Sequence, residues 1–132
     1  MLRIPKTIIH EMVDHALREA PLECCGILAG KGKTVSRKYE MRNADKSRIS
    51  YLMAPEEQLE VFTEIEKERL DMMAIYRSHP NTTPFPSKRD VRLAFYPDVA
   101  YVIISLKDGE TAVKGFRIRK EAISTEPIRV VT

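Results

Sequence analysis

The stretch from Met72 to Asp90 sets the terms for the rest of the chain. Met72 to Tyr76 is a short apolar run of strand-forming character, and it stops at Arg77-Ser78-His79-Pro80. Pro80, Pro84 and Pro86 stiffen a loop that ends in Ser87-Lys88-Arg89-Asp90. An apolar run that turns at once into polar groups of metal-ligand type reads as a strand whose end carries a site. Alternate side chains of an extended segment share a face, so Arg77 and His79 point the same way. If Ser87 caps a helix through Val91 and Leu93, then Ser87 and Asp90 stand three residues apart and face one pocket. Zinc in catalytic sites takes His and Asp or Glu ligands and keeps one position for water, which makes His79 and Asp90 candidate ligands. A His-x-His pair would supply two ligands from this strand, but Arg77 holds the first of those places.

The remaining elements follow from periodicity. Apolar residues at Ile8, Ile9, Met12, Val13, Ala16 and Leu17 predict an amphipathic helix over Pro5–Glu19, with His10 and His15 away from its core stripe and solvated. Glu23 to Ala29 reads as a strand, opened by Glu23 and closed by Gly30 and Gly32. Alternating Val35, Arg37, Tyr39 and Met41 predict its hairpin partner, turning at Lys31 to Lys33. Asn43 to Arg48 is loop-like and Ile49 to Met53 a short strand candidate. Pro55 opens a helix to about Leu70, with Glu56 and Glu57 at the positive end of its dipole. The short helix after Asp90 should run to about Phe95, ending before Pro97. Val99 to Leu106 is apolar enough for a buried central strand, Lys107-Asp108-Gly109 is a turn, Thr111 to Ile118 returns as a partner, and Ile128 to Val131 adds an edge.

A length of 132 residues fits one domain around one core. With 43% hydrophobic and 31% charged residues the chain is globular rather than disordered. A net charge of +3 without interleaved aromatic and basic residues argues against nucleic acid. The sequence offers neither a membrane span nor a signal peptide, so the expected location is cytoplasmic. Cys24 and Cys25 are neighbours, with Cα atoms about 3.8 Å apart, too close for an ordinary disulfide. On a strand they face opposite sides, one into the core and the other toward the pocket with Glu23; for Cys25 a buried structural role outweighs a metal role.

The order Glu23, then Arg77-Ser78-His79-Pro80, then Ser87 and Asp90 resembles the signature of the JAMM (MPN+) metallopeptidases, which reads Glu, His-x-His-Pro, Ser-x-x-Asp. Glu23 to Leu28 resembles the family's first core strand, and Ala100 to Leu106 with Phe116 to Ile118 its closing strands. The resemblance spans nearly the whole chain and implies a single MPN (JAMM) domain of α/β class, a mixed β-sheet flanked by helices. It also implies Zn2+ held by two histidines and an aspartate, with a glutamate as general base and a serine steadying the oxyanion as a peptide or isopeptide bond is attacked. Carried over by position, Glu23 is the base, Ser87 the oxyanion group, and His79 and Asp90 the metal ligands, with Arg77 at the third-ligand position. The implied partner is the tail of a ubiquitin-like or sulfur-carrier protein, as for small stand-alone prokaryotic members. A Ser-His-Asp hydrolase built from Ser78 or Ser87 is disfavoured, since Ser78 and His79 are strand neighbours whose side chains diverge.

Arg77 departs from that signature. An arginine keeps its charge in proteins and is no metal ligand. Held about 4 Å from a divalent ion it is repelled by roughly 8 kcal/mol at an effective dielectric near 20, against the order of 10 to 16 kcal/mol that binds a structural zinc. Two outcomes are open. Arg77 moves aside, water fills its place, and the chain is a zinc peptidase or isopeptidase; or Arg77 pairs with Asp90 or Glu23, substitutes for the cation, and leaves a metal-free, catalytically impaired binding module.

Overall fold

The computed structural model describes residues 1–44 and 53–132. The chain begins with a strand that periodicity alone does not reveal, β1 (Leu2–Pro5), which buries Leu2 and Ile4 and leads directly into helix α1 (Lys6–Glu19). Pro5 stands at the N-cap of α1 with φ −57° and ψ 142°, a place that suits a residue with no N–H to contribute. Ile8, Met12 and Ala16 form the buried stripe of α1, and His15 lies in it as well. This corrects the expectation of a solvated His15, while His10 is exposed as expected.

Strands β2 (Cys25–Lys31) and β3 (Thr34–Met41) form the expected antiparallel hairpin, and Gly32 at the turn takes a φ of +62° that favours glycine. Glu23 lies just before β2 rather than opening it. Helix α2 (Pro55–Lys67) starts at Pro55 as read and ends before Leu70. Of the strand candidate at Ile49–Met53, residues 49–52 lie outside the described residues and Met53 makes an isolated bridge to Asn43. Strand β4 (Asp71–His79) continues past Tyr76, so Arg77 and His79 sit on the strand itself. Helix α3 (Lys88–Arg92) stops short of Phe95. Strands β5 (Ala100–Ser105), β6 (Ala112–Arg119), β7 (Ala122–Thr125) and β8 (Ile128–Val131) complete the chain. β7 is short, largely exposed and not evident from the sequence, whereas β8 is the expected edge strand.

These strands form one mixed sheet in the order β7-β6-β5-β4-β2-β3-β1-β8. Alternation divides its side chains between two apolar layers. Ala74, Tyr76, Val102 and Ile104 pack with Met12 and Ala16 of α1; Ile27, Ile75 and Tyr101 pack on the opposite face with Ile65 of α2. The sheet curls, and Glu126 ties it where β6 approaches the segment that enters β8. Its backbone N–H donates to Gly115 O at 2.9 Å, and its carboxylate accepts from Arg117 Nε at 2.6 Å and pairs with the Met1 ammonium at 2.7 Å. β4 lies centrally, antiparallel to β2 and parallel to β5. The parallel step from β4 to β5 needs a crossover, and the proline loop with α3 supplies it. Ser87 and Asp90 are thereby returned to the end of β4.

Candidate active site

The centre of the site is the carboxylate of Asp90. Ser87 and Asp90 form a reciprocal capping box: Asp90 N–H donates to Ser87 Oγ at 3.1 Å, and Ser87 N–H donates to Asp90 Oδ2 at 2.8 Å. The cap fixes a helix only five residues long and holds the Asp90 side chain toward β4. His79 Nε2 lies 3.0 Å from the same Oδ2, and Arg77 Nη1 makes an ion pair with Oδ1. Both Asp90 oxygens are therefore engaged. His79 Nδ1 donates to Thr83 O at 2.9 Å, which leaves Nε2 facing a carboxylate; both ring nitrogens meet acceptors, the arrangement that an imidazolium satisfies.

Arg77 and His79 share one face of β4, as the period of two requires. Arg77 is fully buried in register between Cys25 of β2 and Ile103 of β5. Its guanidinium carbon stands 5.8 Å from the centroid of the Tyr101 ring, whose hydroxyl accepts from Tyr96 N–H at 3.0 Å. The arginine is thus inside the site, not swung out of it.

Glu23 approaches from the segment before β2. Ser78, between Arg77 and His79, clamps that segment twice: Ser78 N–H donates to Cys24 O at 3.1 Å, and Ser78 Oγ accepts from Cys24 N–H at 2.8 Å. Asn43 Nδ2 donates to the Glu23 carbonyl at 3.0 Å. Neither positioning contact was legible, because each joins residues far apart in sequence. Ser105 plays a similar part for the proline loop, donating through Oγ to Thr82 O at 2.6 Å. The Glu23 carboxyl is buried, and its Oε1 has no hydrogen-bond partner among the described residues.

The electrostatics separate the two carboxyls. Burial pushes Glu23 up to about 7, with the Asp90 charge adding to the effect and His79 and Arg77 opposing it. Burial also opposes charge on Asp90, but the His79 hydrogen bond, the Arg77 charge and the Ser87 N–H outweigh it and hold Asp90 at about 2. For His79, burial favours the neutral ring, yet the bonds to Asp90 and to the Thr83 carbonyl raise it above its ordinary value. Paired titratable groups pushed apart in this way are the usual basis for separate acid and base roles.

The cysteines divide as the alternation predicts. Cys24 joins the α1 layer and Cys25 the α2 layer, both buried, and burial pushes the Cys24 thiol up to about 12 and Cys25 up as well. Neither is a thiolate ready for metal. His15 is bound to the Tyr76 hydroxyl at 2.7 Å through Nδ1, with Tyr76 in the α1 layer, opposite the site. His10 likewise sits on α1, away from the site.

Residues 5–119 match the family description "Prokaryotic homologs of the JAB domain". The chain belongs to this family. Among named relatives it is 37% identical over 134 residues to the CysO-cysteine peptidase of Mycobacterium tuberculosis, covering 99% of this chain and 92% of that protein. It is 36% identical over 117 residues to the probable TtuB-protein conjugate cleaving protease of Thermus thermophilus, covering 88% and 75%. To the desampylase of Haloferax volcanii it is 31% identical over 125 residues, covering 91% and 90%. The solution structure of a Desulfitobacterium hafniense protein superposes with a TM-score of 0.89 at 36% identity, covering 99% and 93%. A JAB1/MPN domain protein from Archaeoglobus fulgidus, at TM-score 0.64 and 14% identity with 97% of each chain covered, shares the fold. The α/β mixed sheet flanked by helices is thus a JAB/MPN fold.

The donor set of this JAB chain does not fit the zinc centre that the signature implies. A three-ligand site needs His79 Nε2, an Asp90 oxygen and a third donor; the third place is filled by a guanidinium that already occupies Asp90. Among the described residues no group of three or more His, Cys, Asp and Glu side chains is arranged to hold a metal.

Proposed function

We propose that this chain is a hydrolase that takes the carboxy-terminal tail of a ubiquitin-like or sulfur-carrier protein and cleaves the peptide or isopeptide bond at its end. The observation that carries the reading is Glu23. Burying a carboxyl with an oxygen that no described residue satisfies is costly, and a fold has no structural use for it. A general base that works near neutrality has a use for this group, since its proton affinity lies where it can both accept and release. The relatives named for CysO, TtuB and desampylation point to the same class of substrate, and their lengths correspond closely enough to carry it.

In this reading Glu23 Oε1 accepts a proton from the attacking water as the C–O bond forms and delivers it to the departing amine as the C–N bond breaks. Ser87, exposed at the head of α3, uses its hydroxyl proton toward the developing oxyanion, because its oxygen is already held by Asp90 N–H. His79 and Asp90 hold the floor of the site. They are also the two positions at which this chain retains the metal-ligand residues of the family signature, both now engaged with protein partners. No helix among the described residues is long and apolar enough to cross a membrane; a cytoplasmic location belongs to the same proposal.

The test uses a sulfur-carrier protein ending in a glycine pair, extended by one residue or joined to a lysine side chain. The unmodified chain should release the native tail, Glu23→Gln should lose at least about a hundredfold in rate, and Ser87→Ala should lose about tenfold to a hundredfold. Equal rates for the unmodified chain and Glu23→Gln would sink the reading. The ion pair of Arg77 with Asp90 favours a second reading, a module that binds such tails without cleaving them; tight binding with no release by any preparation would select it.

A further inference from the structure

We infer that Arg77 is a built-in replacement for the family's metal, so that this chain loads no zinc until the arginine is removed. Only the consequence for cleavage rests on the tail-hydrolase reading; the metal content does not. Four observations carry the inference. Arg77 is fully buried, two residues before His79 on the same face of a central strand. Its Nη1 already takes Asp90 Oδ1, while Oδ2 serves His79 and the Ser87 N–H, so neither oxygen of the one carboxylate ligand is free. The guanidinium has a seat, the face of Tyr101, whose ring is pinned through its hydroxyl. Its backbone is paired on both sides, to Cys25 and Ile103, so the strand cannot shift to carry the side chain away.

The charges complete the argument. A buried carboxylate requires a partner, and a planar guanidinium provides one that never deprotonates. Zinc entering beside it would meet a fixed positive charge about 4 Å away, a repulsion equivalent to roughly a millionfold loss of affinity. The geometry also assigns Arg77 a positive role, since it holds Asp90 in the place where the helix cap and His79 meet it. An exposed arginine would leave the site open to metal; this one fills it.

The experiment measures zinc in the purified, tag-free full chain, grown with zinc, by mass spectrometry of the metal alone. The unmodified chain should carry less than about 0.1 zinc per molecule, Arg77→His should approach about one, and Arg77→His with Asp90→Asn should fall back. Thermal unfolding adds a readout that does not need the variant to fold: excess zinc should leave the unmodified chain's midpoint unchanged, because a ligand that does not bind the native state cannot stabilise it. About one zinc per unmodified molecule, a rise of several degrees with zinc, or a folded Arg77→His that stays empty would each overturn the inference. Tail release scored on the same preparations separates the two readings. A zinc-loaded, cleaving unmodified chain sinks this inference and keeps the hydrolase, whereas a zinc-free chain that does not cleave keeps this inference and sinks the hydrolase.

Discussion

Glu23→Gln changes stability in a way that only a buried, ionising carboxyl can produce. Its folded-state value of about 7, against 4.5 when exposed, means that the folded chain resists the charged form. For a group raised on folding, the stability contribution is fully present below the unfolded value and is lost as pH rises through the folded one. The unmodified chain therefore loses stability relative to Glu23→Gln across that window. Between about pH 5 and about pH 8 the relative loss comes to about 2.5 kcal/mol, from 1.36 kcal/mol per unit and the fraction ionised at each end. For a chain of this size that is on the order of 10 °C in Tm. The assay is denaturant unfolding of both proteins, with a chelator present, at several pH values across the window. The measured quantity is the change in their difference with pH, because the glutamine amide has its own burial cost and the absolute offset carries less information. The same substitution should abolish tail release, and release by the unmodified chain should rise with pH through about 7 as the base ionises. A pH-independent difference between the two proteins would refute the placement of Glu23, since a solvated carboxyl gives none.

Asp90 works in the opposite sense: held at about 2 against 3.8, it stabilises above its unfolded value and loses about 2 kcal/mol as pH falls from about 4 to about 2, and Asp90→Asn should flatten this acid limb in unfolding curves. Asp90→Ala should cost about 3 to 5 kcal/mol in chemical denaturation, because it leaves the Arg77 charge buried without its carboxylate. Ser78→Ala removes the acceptor for Cys24 N–H, should cost about 1 to 3 kcal/mol, and should lower tail-release kcat more than it raises KM if Glu23 is displaced. Tyr76→Phe leaves buried His15 without its 2.7 Å partner and should cost a similar amount while leaving tail release unchanged.

The placement of the candidate site's residues was largely legible because it follows sequence-local rules. The period of two placed Arg77 with His79, and Ser87 caps a helix as read, although the reciprocal bond from Ser87 N–H to the Asp90 side chain that completes a capping box was not foreseen. What sequence could not supply were contacts whose partners are remote. His15, seven residues after Ile8, lies at the margin of the apolar stripe as drawn through Leu17; the buried face is turned the other way, leaving Leu17 exposed and His15 inside, where Tyr76 binds it. Strand β1 has only four residues, too few to show alternation, and acquires its identity by pairing between β3 and β8, the latter from the far end of the chain. Helix α3 ends early because the capping box fixes its first turn while no apolar stripe supports a second; Phe95, read as its last residue, is 71% exposed.

Arg77 marks the point where the motif and the physics diverge. Reading the family signature alone, the arginine is one mismatch among several matches, and zinc chemistry follows by default. The contacts show two of those matches committed around the mismatch: Asp90 turns one oxygen to the guanidinium and the other to His79, so both of the family's remaining ligands are engaged with protein partners. The positive charge that balances Asp90 is then covalently attached and cannot be removed by a chelator. A chelator that stopped tail release by the unmodified chain would count against this arrangement, because nothing in the Arg77, Asp90 and His79 contacts responds to the removal of metal.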